Sequence, residues 1–298
     1  MDRYQGTSVG LSRRIRSMSL LLGAMVLWTH ANAQQANPGA VENFEPEFDV
    51  GVEMRPRAGL FGITELMMAA LEADIPKAKQ LLDAGADINE RDDSQSTPLM
   101  WAAHSGDVEI VRFLISQGAN VRARAHQNAT ALMVAMTGKH ESSAIALIDA
   151  GADPNGRGNS AMNYLEDAAM SGMTGVVDAL IRNGTDLDAY GASALHWSVS
   201  RGHTAVARRL LDAGVNVNAT PSRSTSPLIS TAAASGDIDL LKLLIERGAD
   251  VGQSDHGNSP LYPVATRGYT EAAELLIENG ASSTASIVLA AIRNGHGE

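Results

Sequence analysis

Apolar and polar residues follow one another along this chain with a helical period, in short runs. In "DVEIVRFLISQG" the residues Val108, Val111, Leu114 and Ile115 fall on one face, with charged residues between them. A shorter, Ala-rich run, "MWAAHS", precedes it and is introduced by "TPL" at 97. A hydroxyl residue there caps a helix, and proline fits the first helical turn. Seven residues after the leucine comes a turn, usually held by glycine, as at Gly106, Gly172, Gly202 and Gly268. The pattern predicts two short helices joined by a tight turn, with Gly118 as a left-handed cap after the second.

The same plan recurs. The opening element reads "TEL" at 64, "TAL" at 130, "SAL" at 193 and "SPL" at 226 and 259. The closing glycine falls at Gly85, Gly118, Gly151, Gly184, Gly214, Gly248 and Gly280, with spacings of 33, 33, 33, 30, 34 and 32. A fixed period of this length is the mark of a solenoid, in which each unit covers the open face of its neighbour. "TPLMWAAHSGDVEIVRFLISQGANV" from Thr97, "SALHWSVSRGHTAVARRLLDAGVNVN" from Ser193 and "LLDAGADIN" resemble the ankyrin repeat over about residues 62–284. The resemblance implies a β-turn and two antiparallel helices per unit. The expected architecture is an all-α ankyrin-repeat solenoid of about seven helix-turn-helix repeats over residues 62–298, closed by a C-terminal half-repeat cap at about 285–294.

Departures from the period are located. In the third unit Lys139 stands where the turn glycine is expected, just after Gly138. In the fourth, "MNYLEDAAMSG" replaces the Thr-Pro-Leu opening. The short spacing before the fifth unit removes about three residues at "LDAYGAS", which predicts a stunted loop tip. Pro263 lies inside the first helix of the seventh unit, within its first turn, where a lost amide matters least.

Residues 1–33 read as a secretory leader: Arg13, Arg14 and Arg16, then the apolar "MSLLLGAMVLW" at 18–28, then "ANA". Cleavage before Gln34 is expected, with a periplasmic or secreted product and no membrane insertion afterwards. Residues 34–61 carry acids, proline and glycine and read as a linker, with Leu60 and Phe61 available to cover the first unit. The whole chain has a net charge of −11, and loss of the leader makes it −14. So acidic a protein repels nucleic acid. The absence of cysteine excludes disulfides, thiolate metal sites and thiol catalysis. Aromatic residues are only 4%, so the core must be built from Ala, Leu, Ile, Val and Met.

No HExxH, phosphate loop or GxSxG occurs. His196 and His203 occupy packing positions of the resembled repeat, and His126 and His256 lie in polar loops. Trp101 and Trp197, two residues after the repeat leucine, are expected in the core, as are Met67, Met100 and Met133. Asp87, Asp153, Asp186 and Asp250 recur as capping or turn acids. Glu166 and Asp167 are odd, because one of them should face inward where other units have tryptophan.

The expected function is therefore that of a non-enzymatic, monomeric scaffold without cofactor or metal. The resemblance implies a protein partner on a concave face built from loop tips and the ends of the first helices. The positions that carry it over are Glu72, His104, Thr137, Met170, Ser200, Arg201, Thr266 and Arg267, with Arg91, Arg124, His126 and Arg223 at the tips. The resemblance also leaves open an exported effector that binds a host protein, and an accessory protein that supports a detoxifying enzyme such as catalase.

Overall fold

A computed structural model describes residues 62–157, 162–221, 226–252 and 259–282. The leader, the linker, Leu60, Phe61, Arg223, Asp255, His256 and the half-repeat at 285–294 lie outside the described residues.

Fourteen α-helices among the described residues form seven antiparallel pairs. They are α1 (Glu65–Leu71) with α2 (Ile75–Asp83), α3 (Pro98–Ser105) with α4 (Val108–Ser116), and α5 (Ala131–Thr137) with α6 (Glu141–Asp149). The series continues with α7 (Tyr164–Ser171) and α8 (Thr174–Arg182), then α9 (Leu187–Ser200) and α10 (Thr204–Asp212). It ends with α11 (Leu228–Ser235) and α12 (Ile238–Glu246), and α13 (Leu261–Arg267) and α14 (Thr270–Glu278). First helices pack on first helices and second on second, so one buried layer runs between the two rows. In α4 the buried set is Ile110, Val111 and Leu114. Val108 and Ile115, expected on that face, are half-buried at its edges. Met67, Met100 and Met133 fill the core as expected.

The opening hydroxyl caps its helix in some units only. Thr64 Oγ1 accepts from Met67 N at 3.3 Å, and Thr130 Oγ1 accepts from Met133 N at 3.1 Å. Thr97 makes no such bond, and its buried Oγ1 has no hydrogen-bond partner. Ser193 is no cap at all: it lies inside α9, a single helix of 14 residues that begins at the cap Asp186. The shortened segment therefore does more than stunt the loop tip. With three residues missing, the connection between the fourth and fifth units cannot form a hairpin, and it winds into the helix. In the fourth unit Asn163 caps α7 through Leu165 N, and Glu166 Oε2 accepts from Asn163 N at 2.9 Å. That reciprocal pair is a capping box, and it explains the glutamate that the repeat pattern does not predict.

Polar side chains tie each unit to the next. Asn89, Asn155 and Asn218 accept from the backbone N–H of Asn120, Asp186 and Asp250, one unit on, at 2.8–2.9 Å. Asp87, Asp153 and Asp250 accept from the amide two residues ahead, as turn acids do. Ser143, fully buried on α6, donates to Gly106 O at 3.0 Å. The second helices add ion pairs between units: Arg182 with Asp149, Arg209 with Asp178, and Arg247 with Asp212. These are exposed or half-exposed and contribute about 0–1 kcal/mol each.

The turn glycines serve two needs. Gly106 has φ +79°, and the His140 ring from the next unit lies where its Cβ would be. His203 covers Gly172 in the same way, and Tyr269 covers Gly236. His203 also places Nε2 3.2 Å from Met170 O. Where glycine is missing the backbone still turns left: Lys139 has φ +56°, as does Ala73. The fourth unit is irregular in one further respect. Tyr164 stands at the head of α7, where α3 and α5 have Pro98 and Ala131, and its ring is buried. Its hydroxyl lies 3.1 Å from Thr130 Oγ1. The first helices α5 and α7 approach less closely than their counterparts in other units, because this large ring occupies the junction.

Replacing Gly118, at φ +94° with open space around it, by alanine should cost about 1–2 kcal/mol of strain. Gly106→Ala should cost at least about 1 kcal/mol more, since the His140 ring must also move. Lys139→Gly should raise stability by about 0.5–1 kcal/mol by relieving an L-residue in the left-handed region. Urea denaturation of the three variants tests the order. Equal losses for the two alanine variants would remove the packing role of His140.

Candidate functional site

Each first helix buries one flank and presents the other. Counted back from the turn residue, the third and fourth positions are small and buried in most units: Ala69 and Ala70, Ala102 and Ala103, Ala168 and Ala169, Ala232 and Ala233. The fifth position is half-buried in all seven units: Met68, Trp101, Val134, Asp167, Trp197, Thr231 and Pro263. These side chains form a continuous stripe, flanked by Leu71, His104, Thr137, Met170, Ser200, Ala234 and Thr266 at the second position. The frame is constant and the stripe varies.

The two tryptophans were expected in the core; both are half-buried instead, with Trp101 packed against the core from its edge. Trp101 is half-buried, and its indole N–H donates to Asp92 Oδ2 at 3.0 Å. Asp92 itself is buried, and its other oxygen accepts from Ser96 N at 2.8 Å. An indole needs a partner for its N–H. The loop before α3 supplies one, which draws the ring to the stripe. Trp197 lies on the same stripe under Arg201, whose guanidinium carbon is 6.0 Å from the ring centroid.

The other sequence candidates divide into three groups. Arg91 spans two loop tips, donating to Gln95 O at 3.1 Å and to Arg124 O at 2.8 Å. It holds the frame, as does Arg122, which donates to Gly151 O. His126 is exposed in a short 3-10 turn, where its backbone N–H donates to Ser94 O. Glu72, Arg124 and Thr137 are exposed but lie in separate units. Met170 is half-buried beneath His203. Ser200 and Arg201 gather around Trp197, and Thr266 and Arg267 come together in a groove between α11 and α13.

That groove encloses about 550 Å³ and is lined by Ser226, Ser230, Thr231, Ser259, Tyr262 and Arg267 among others. Sequence reasoning did not single out Ser230, Thr231 or Tyr262. Their signal appears when units are aligned on the turn glycine. Ser230 then stands where Met100 stands, and Thr231 where Trp101 stands.

Four titratable side chains of the first helices are shifted. Burial raises the pKa of Tyr164, against a smaller opposing effect of its hydrogen bond with Thr130. Burial lowers the pKa of His104, with a further contribution from the charge of His140, and burial alone lowers that of His196. Burial raises the pKa of Asp167, against a smaller opposing pull from Lys139. Among the described residues no three His, Asp or Glu side chains gather as metal ligands, and no helix is long and apolar enough to cross a membrane.

A family model for ankyrin repeats in three copies matches residues 66–158, 161–221 and 217–287. The chain is 35% identical over 102 residues to the ankyrin repeat and KH domain-containing protein mask-1 of Caenorhabditis elegans, spanning 32% of this chain and 4% of that protein. It is 38% identical over 91 residues to ankyrin repeat and SOCS box protein 11 of Danio rerio, spanning 30% of each. The chain thus spans under a third of the length of these relatives. The solved ankyrin repeat domain of human ASB11 superposes with a TM-score of 0.59 at 19% identity, over 74% of this chain and all of that domain.

A raised carboxyl pKa means that the fold disfavours the charged form. The penalty is absent below the unfolded pKa, grows as pH rises toward the folded value, and is complete above it. Asp167→Asn should therefore be more stable than the parent at neutral pH, with the gain vanishing in acid. Thermal melts from pH 3 to 8 measure it; a gain independent of pH would point to packing instead.

Proposed function

The chain belongs to the ankyrin repeat family, and from that premise we propose that it is a non-catalytic scaffold, exported to the periplasm or medium, that holds one protein partner along the face of its first helices. The observation that carries this reading is the stripe itself. Its neighbours on each helix are buried alanines and leucines held by stacking, whereas the stripe changes chemistry from unit to unit. A rigid row of differing side chains reads an extended surface. Trp197 under Arg201 has the character of a contact centre, because a rigid aromatic beside a guanidinium contributes much at little entropic cost. The leader pattern of residues 1–33 supports the exported setting.

The test is capture of a partner by the immobilised mature chain from the extract of its own cells, at two salt concentrations. One enriched protein is expected, lost when Arg124 and Arg201 are both changed to alanine and retained with Arg112→Ala on a second helix. Retention of the partner by the Arg124/Arg201 variant would remove the first-helix face as its site. Amino-terminal sequencing of the exported chain should begin at Gln34; a chain that still carries Met1 would refute the processing.

A further inference from the structure

We propose that the groove between α11 and α13 is a carboxylate subsite, which takes an aspartate or glutamate side chain from an extended segment of the protein partner. This deepens the scaffold reading and rests on it.

The groove exists because side chains are missing. In the first three units the sixth position before the turn is Met67, Met100 or Met133, and each is buried against its neighbours. In the sixth unit that position is Ser230, and the adjoining stripe position is Thr231 where α3 has Trp101. Two short hydroxyl residues leave open the volume that methionine and tryptophan fill elsewhere. The space is then lined with polar groups: hydroxyls from Ser226, Ser230, Thr231, Ser259, Tyr262 and Thr266, and the guanidinium of Arg267. Among the described residues no carboxylate lines it.

The donors left over point to an anion. Thr266 Oγ1 donates to Pro263 O at 3.0 Å, and Thr231 Oγ1 to Pro227 O at 3.4 Å, so those hydroxyls are engaged. The buried Ser230 Oγ has no hydrogen-bond partner, and a hydroxyl proton rotates freely to meet an acceptor. Tyr262 is 39% exposed. Arg267 is exposed and forms no ion pair with any described residue. A guanidinium fork, a phenol and a spare hydroxyl match a carboxylate, which only accepts. Charge along the face agrees. In the six residues before each turn, the first and fourth units carry Glu72, Glu166 and Asp167, whereas the fifth to seventh carry Arg201 and Arg267 and no acid. An acidic segment is thereby drawn to this end of the face and repelled from the other.

The probe is a blocked pentapeptide alternating alanine and glutamate, titrated into the isotopically labelled mature chain and followed by amide NMR shifts. Its glutamine counterpart is the control. Saturable shifts are expected in α11 and α13, with the glutamine peptide about tenfold weaker, since charge-assisted bonds carry the difference. Arg267→Gln should abolish the response. Ser230→Met should also abolish it by refilling the groove, while melting no lower than the parent. Absent shifts, an equal response to the glutamine peptide, or a Ser230→Met variant that responds normally would each overturn the proposal. A captured partner that tolerates Ser230→Met and Arg267→Gln but not loss of Arg124 and Arg201 would remove the subsite and leave the scaffold standing.

Discussion

Everything in this molecule depends on the close approach of one first helix to the next. A pair of helices of seven to nine residues cannot bury its own apolar faces. The pairs persist because alanines such as Ala102 and Ala103 let neighbouring backbones pack tightly, with leucines such as Leu99 and Leu114 filling the layer between the rows. With aromatics at 4% and no cysteine, neither many large rings nor disulfides hold this chain together. Its stability is a sum of neighbour-to-neighbour terms.

Polar chemistry at the edges of the stack fixes register rather than adding much energy. The asparagines that reach into the next loop set how far each unit is displaced along the solenoid. The rings of His140, His203 and Tyr269 on glycines of the preceding unit set the angle. Tyr164 and the fused helix α9 disturb this pattern in the middle of the chain. The irregularity is therefore a matter of packing, and Glu166 serves there as the reciprocal cap of α7.

The surface follows from the same stack. Because the backbone repeats, a change of side chain at one helical position becomes a change of chemistry at one place along a row. Large residues at the stripe give a half-buried aromatic surface near Trp101 and Trp197, and small ones at Ser230 and Thr231 open a polar groove. The chemistry of the row is set by side-chain volume as much as by charge.

The sequence by itself determined the repeat, the number of units, the helix pairs and the glycine turns, because these depend on local periodicity and backbone freedom. It also placed Met67, Met100 and Met133 in the core and identified the turn acids, which act over two or three residues. Tertiary structure decided what depends on neighbours one period away. It held Trp101 half-buried at the edge of the core through Asp92, turned the shortened loop into helix, and assigned Arg91 to holding the frame. It also brought Ser230 and Arg267, 37 residues apart, to one groove. A linear reading counts residues within a unit, whereas a solenoid's surface is made where two units meet.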